Sequence, residues 1–346
     1  MSDWIFIRRV LTVFAIGALA LALWVLSELL LLIFASVLCA VALRALMAPL
    51  IRATGLSEPL ALAVVVLLIV AFGAALVLQF GTRLSDQTQY LLATAPAAFQ
   101  RLSQQLDLQS LRGVGDTAIG EIASRAVSIG SSVVEAVAGF VLVIVGGIYL
   151  AAAPQGYRRG LIALFPERWH KIMTSTLEDS SFALSRWLRA QLIAMAIVGG
   201  LTGIGMWIVG VPSPLALGLI AGATEFIPIV GPILGAVPAL LLASGQGWDM
   251  TLAALAVAVV VQQVENNIIM PFVVGRVVEL PAAVGLFATV AMGLLFGPLG
   301  FLLGYPLAIV GDVAVRRIYV REALGKTVEI PAERERHAKA DARAAK

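Results

Sequence analysis

The sequence predicts an all-α, polytopic membrane protein, and three observations carry that prediction. Hydrophobic residues make up 60% of the 346-residue chain and charged residues only 13%, with a mean hydropathy of +0.97, a balance too apolar for a soluble globular domain. Apolar runs close to the roughly 20 residues that a hydrocarbon core of about 30 Å demands recur along the chain. Two of these runs are interrupted at their centres by Gly-Pro pairs, Gly231-Pro232 and Gly297-Pro298.

About eight hydrophobic segments are expected, near 10–26, 29–50, 60–80, 133–152, 192–209, 215–243, 250–274 and 282–310. The first follows Arg8 and Arg9 and contains Ala18-Leu19-Ala20, a pattern close to a secretory signal with its cleavage site. A second apolar run begins after only Ser27 and Glu28, so an uncleaved helix is the expectation.

Arg8, Arg9, Arg44, Arg52, the basic residues between Arg158 and Arg189, and the tail from Arg316 fall on one side if both termini are cytoplasmic. This divides the chain into amino-terminal transmembrane helices (1–80), an extracytoplasmic amphipathic helical insert (81–132) and a further transmembrane helix (133–152). A cytoplasmic amphipathic helical insert (153–190), a core holding both broken runs (191–315) and a basic cytoplasmic tail (316–346) follow. In the cytoplasmic insert Met173, Leu177, Leu184 and Leu188 share one helical face, with Glu178, Asp179 and Arg186 elsewhere.

Composition also excludes whole classes of chemistry. Cys39 is the single cysteine and lies in an apolar run, while His170 and His337 stand apart in charged segments, so neither a metal site nor a cofactor is expected. A pI near 9.2 would suit nucleic acid, but the basic residues border apolar runs instead of clustering with aromatics, and no nucleic-acid partner is expected. No nucleophile, base and orienting group stand at reactive spacing, so the chain does not read as an enzyme.

The broken runs ask for another explanation. Glu225-Phe226-Ile227-Pro228 leads into Gly231-Pro232, and Phe296 leads into Gly297-Pro298. Non-helical backbone is tolerated at membrane depth only where protein or a wet cavity satisfies its polar groups. Paired glycine- and proline-interrupted segments point to a binding site made from discontinuous helices. Pro228, Gly231, Pro232, Gly297 and Pro298 are therefore expected to shape a polar cavity, with the two runs forming broken or re-entrant helical hairpins in a pseudo-inverted repeat. Kinked single spans are the alternative.

The seventh run concentrates Gln262, Gln263, Glu265, Asn266 and Asn267 ahead of Pro271. At 100° per residue these side chains cover an arc of about 200°. Glu225, Glu265, Gln262, Asn266 and Asn267 are the candidate contacts for a substrate or ion. If both glutamates face one cavity, desolvation and mutual repulsion make proton exchange feasible there. Arg189 and Gln191 open the fifth run as either orientation anchors or a cavity gate.

At these residues the sequence resembles the AI-2E family, the autoinducer-2 exporters and PerM-like permeases of bacterial inner membranes. The match rests on Trp187 to Gln191, Gly203-Ile204-Gly205, the stretch from Glu225 to Gly235, Gln263 to Pro271, and Leu295 to Gly300 with Pro306. The resemblance implies a secondary transporter exporting a small polar molecule. Its partners would be the lipid bilayer, that substrate, and H⁺ or Na⁺. Glycine-rich surfaces and amphipathic inserts add the expectation of a homo-oligomer. Exchange of Na⁺ or Li⁺ for H⁺ is the nearest alternative, and a non-transporting membrane scaffold the next. Where relatives often carry a histidine before the proline that follows the seventh run, this chain has Glu279-Leu280-Pro281, so no role passes to that position.

Overall fold

The computed structural model describes residues 2–71, 138–227, 230–274, 280–327 and 333, and the regular elements among them are helical. The insert expected at 81–132 lies outside the described residues, as do Pro228, Arg276 and Glu279.

Helix α1 (Ser2–Val25) is followed after Leu26 by α2 (Ser27–Thr54). The second stops at Gly55, whose φ of 69° lets its N–H turn back to the Ile51 carbonyl at 2.8 Å. α3 (Glu58–Ala71) and α4 (Ala138–Ala152) pack on α2 around buried Met47, Ala61 and Ala151. Arg44 ties the three together, donating to the Ala151 carbonyl at 2.9 Å and pairing with Glu58 at 3.1 Å. α5 (Pro154–Ala163) leaves α4 at 91°.

α6 (Glu167–Val209) runs for 43 residues, or roughly 65 Å at the helical rise, about twice the thickness of a hydrocarbon core. The amphipathic insert and the fifth apolar run are thus one rod, and residue 190 falls in its interior. Asp179, off the apolar face of the insert, is 1% exposed. It faces Arg317, which forms an ion pair with it. The rod ends at Gly210, φ 86°, with N–H to the Met206 carbonyl at 3.1 Å.

The sixth apolar run is two helices, α7 (Pro214–Thr224) and α8 (Gly231–Ser244), of 11 and 14 residues. At roughly 17 and 21 Å each falls short of a crossing. They lie antiparallel and close: a Cβ added to Gly235 would stand 2.9 Å from Ala221 Cα, and one on Gly231 2.9 Å from Glu225 Cα. Small residues also seat α7 on α6, where a Cβ on Gly218 would meet Gly203 Cα at 2.9 Å and one on Gly222 would meet Gly199 Cα at 3.2 Å. Four-residue glycine spacing on both helices permits this backbone approach, the usual route to helix association in lipid.

α9 (Trp248–Val264) continues into wider π-helical turns over Glu265–Val274. Pro271 falls within them, and a residue without an N–H cannot close the α-helical bond to the Asn267 carbonyl. α10 (Ala282–Ala314) breaks at Gly297, where φ 65° and ψ −149° mark a region essentially confined to glycine. The chain then folds back on itself. A Cβ on Gly304 would lie 2.6 Å from Thr289 Cα, although a straight helix would hold those positions roughly 22 Å apart. The second arm passes into π-helical turns at Val315–Ala323.

Four stretches are long and apolar enough to cross a membrane, or five if α4 and α5 count as one bent span. One of the four, Ala283–Ala323, is the stretch that the fold-back divides. The tally is below the about eight expected because the apolar part of α1, Val10–Val25, and α7 and α8 are short, and the runs carrying α3 and α4 are only partly described. The chain is a polytopic, all-helical membrane protein. Its main core joins Leu31 and Leu38 of α2, Leu184, Trp187 and Leu188 of α6, and Leu303 and Ile309 of α10.

Candidate functional site

Glu225 closes α7, its N–H bonded to the Ala221 carbonyl at 3.0 Å. Its side chain is fully buried and lines a partly open cavity of about 320 Å³ between α6, α7, α8 and α9. Glu265 reaches the same cavity from the first wide turn after α9 and is 3% exposed. Gln262, Thr202 and Pro232 complete its polar and turn-forming lining. Two larger hollows exist, of about 520 Å³ between α2, α3 and α4 and about 810 Å³ on the outer face of α6 and α7. Both are lined almost wholly by apolar side chains and glycines, so of these three, among the described residues, the smaller cavity carries the polar groups.

The two carboxyl groups line the same cavity and act on one another there; while both are ionised each can only accept, so neither bonds the other. Glu265 accepts from Gln262 Nε2 at 3.0 Å. Neither oxygen of Glu225 has a hydrogen-bond partner among the described residues, and no basic side chain among them lines the cavity. A charged carboxylate withdrawn from water without donor or counter-charge is unstable. The site therefore suits an arriving proton, cation or donor-rich polar solute.

The remaining candidates divide. Gln191 is buried, and its Nε2 donates to the backbone carbonyl of Glu225. Arg189 is exposed and bonds its own helix at the Ser185 carbonyl, 3.0 Å away. Gly231 is buried against Thr224 and Glu225 at the start of α8. Asn266 and Asn267 are exposed and do not line the cavity; Asn267 Nδ2 bonds Gln263 Oε1 at 2.9 Å. An arc of about 200° is wider than one cavity can face, and only its Gln262 and Glu265 edge turns inward. Gly297 and Pro298 are not among the lining residues either; the neighbouring Phe296 packs on Trp24 of α1 at 6.0 Å.

Two groupings escaped the sequence reading. Thr202 is one apolar-run threonine among several, with nothing local to single it out. Trp187 contacts Phe226 and Tyr305, and the four-residue step from Trp187 to Gln191 is the signal that could have linked them.

Comparison with known proteins places the chain among transport proteins. The chain is similar to YrrI of Bacillus subtilis, 39% identical over 147 residues that cover 42% of each chain. It resembles YueF of the same organism at 30% identity over 146 residues, 42% of this chain and 40% of the other. The AI-2 transport protein TqsA of Escherichia coli is 27% identical over 160 residues, 44% of this chain and 46% of its own length. Each of these alignments spans less than half of the relative. The model of the AI-2E family transporter, a family of transporters and not of enzymes, matches residues 12–319, and the chain belongs to that family.

Proposed function

We propose that this protein is a secondary transporter of the bacterial cytoplasmic membrane that exports a small polar molecule, autoinducer-2 or a solute like it, coupled to protons through Glu225 and Glu265. The observation that carries this reading is Glu225, fully buried in a cavity with both carboxylate oxygens unpartnered. Hydroxyl donors of the cargo, or a proton, supply what the site lacks, and Gln262 adds hydrogen bonding beside Glu265. In this reading α7 with α8, and the two arms of α10, are re-entrant hairpins entering from opposite faces, the inverted arrangement that alternating access uses. They move against α1 to α4, with both termini cytoplasmic and copies of the chain assembled as a homo-oligomer. Asn266 and Asn267 join the pathway when α9 turns, and Arg189 stands at its mouth. The likeness to the AI-2 transport protein TqsA of Escherichia coli supports the cargo class.

The test is flux of autoinducer-2 in proteoliposomes across a pH series. Glu225→Gln and Glu265→Gln should each reduce flux to the background of empty vesicles and abolish its pH dependence. Wild-type flux with an unchanged pH profile in both variants would overturn the reading. A second reading, exchange of Na⁺ or Li⁺ for H⁺, is favoured by the same bare oxygens and by the absence of a basic residue in the described lining. Sodium-driven proton movement, followed with an entrapped pH dye in the same vesicles, distinguishes it.

A further inference from the structure

Trp187 and Gln191 stand one turn apart on α6 and so share a face. Gln191 Nε2 donates to the Glu225 carbonyl, which lies at the end of α7 where helical backbone oxygens lose their partners. Trp187 meets the ring of the next residue, Phe226, edge-on at 5.5 Å and 75°. On another side the same indole stacks on Tyr305 at 5.8 Å and 28°. Tyr305 belongs to the second arm of α10, and its ring covers Gly285 of the first arm, where a Cβ would stand 2.8 Å from Tyr305 Cδ2.

The Glu225 side chain makes no hydrogen bond of its own among the described residues. Its position in the cavity is therefore inherited from its backbone, and that backbone is held by Gln191 at residue 225 and by Trp187 at residue 226. We propose that Trp187 and Gln191 are one positioning unit that sets where the Glu225 carboxylate lies and ties that setting to the second broken hairpin through Tyr305. This rests on the reading of Glu225 as the group that binds cargo or protons. It assigns Gln191 the work of a strut. It also explains how a hairpin whose own break does not line the cavity can still act on it: displacement of the second arm of α10 moves Tyr305, then Trp187, then the Glu225 backbone.

The experiment uses the full chain in nanodiscs with two readouts. One is modification of Glu225 by dicyclohexylcarbodiimide, located by mass spectrometry across a pH series. The other is the rate at which a small maleimide reacts with Ala236→Cys, a cavity-lining position, in a Cys39→Ser background. Gln191→Leu and Trp187→Ala should change both rates about fivefold or more and move the pH midpoint of Glu225 labelling. Trp187→Phe, which keeps a ring, should restore most of the wild-type behaviour. Gly285→Ala, remote from Glu225, should shift both readouts in the same direction as Trp187→Ala, and it serves alone if Trp187→Ala does not fold. Unchanged labelling and maleimide rates in Gln191→Leu and Gly285→Ala would overturn the proposal. If wild-type Glu225 resists the carbodiimide at every pH, the carrier reading of that carboxylate fails. The maleimide rates then decide the positioning unit by themselves: a change supports it and no change overturns it.

Discussion

Glu265 keeps a hydrogen-bond donor, Gln262, in a cavity where Glu225 has none, and that asymmetry separates their roles. Gln262→Leu removes the donor while keeping the side-chain bulk, leaving a carboxylate that is 3% exposed without it. The expected loss is about 1–3 kcal/mol of stability, read from the unfolding midpoint in detergent, with Gln262→Asn losing less. A midpoint unmoved by Gln262→Leu would mean that Glu265 finds another donor. At this scale the sequence was most informative for the acids themselves, because a glutamate inside an apolar run has few tolerable locations and each must be enclosed. It was least informative for the amides. Residues 262 to 267 are spread around the helix, and periodicity cannot say which edge of so broad an arc turns inward; Asn266 and Asn267 lie on the edge that does not.

The elements follow the same division between what is local and what is distant. A glycine and a proline side by side announce a break at 231 and at 297, and both are present as backbone events. What the pairs do not announce is how far the chain turns, since that depends on contacts such as Gly304 with Thr289 that lie far apart in sequence. The continuity of α6 was hidden for a related reason: its polar half has an amphipathic pattern that reads as a separate surface helix until Asp179 is seen to be buried against another element. Gly297 and Gly311 test the element scale in opposite directions. Gly297→Ala forces a side chain into φ 65°, ψ −149° and should cost about 1–3 kcal/mol. Gly311→Ala adds a methyl where nothing lies within 4 Å and should gain about 0.5–1 kcal/mol from the unfolded chain and helix propensity. Thermal unfolding of the two variants in one detergent gives both signs.

At the scale of the molecule, an ionic cluster among the described residues ties α6 to the turns beyond α10. Asp179 in the polar half of α6 pairs with Arg317 beyond the second arm of α10, and Arg317 reaches Glu333 at 2.8 Å. Arg321 closes the cluster on Glu333, also at 2.8 Å. Asp179→Asn leaves a buried guanidinium with less counter-charge and should cost about 3–5 kcal/mol, whereas Asp179→Leu combined with Arg317→Met should lie much nearer the wild type; unfolding of the two variants side by side measures the difference. Glu333 makes part of the cluster sensitive to pH. Burial raises its carboxyl, but the hydrogen bond and charge of Arg321, with those of Arg317, outweigh burial and hold it below the usual carboxylate range. A carboxyl lowered by folding stabilises the folded state at pH values above its unfolded value, and that contribution is lost as pH falls through the lowered one. The contact between Glu333 and the turns at Val315–Ala323 should therefore be intact at neutral pH and released in acid. Amide hydrogen exchange over those turns, corrected for the intrinsic pH dependence, should show protection falling on acidification in the wild type. In Glu333→Gln the protection should already be reduced at neutral pH and change little with acid. Equal protection in both proteins at neutral pH would show that Asp179 and Arg317 hold those turns to α6 without Glu333.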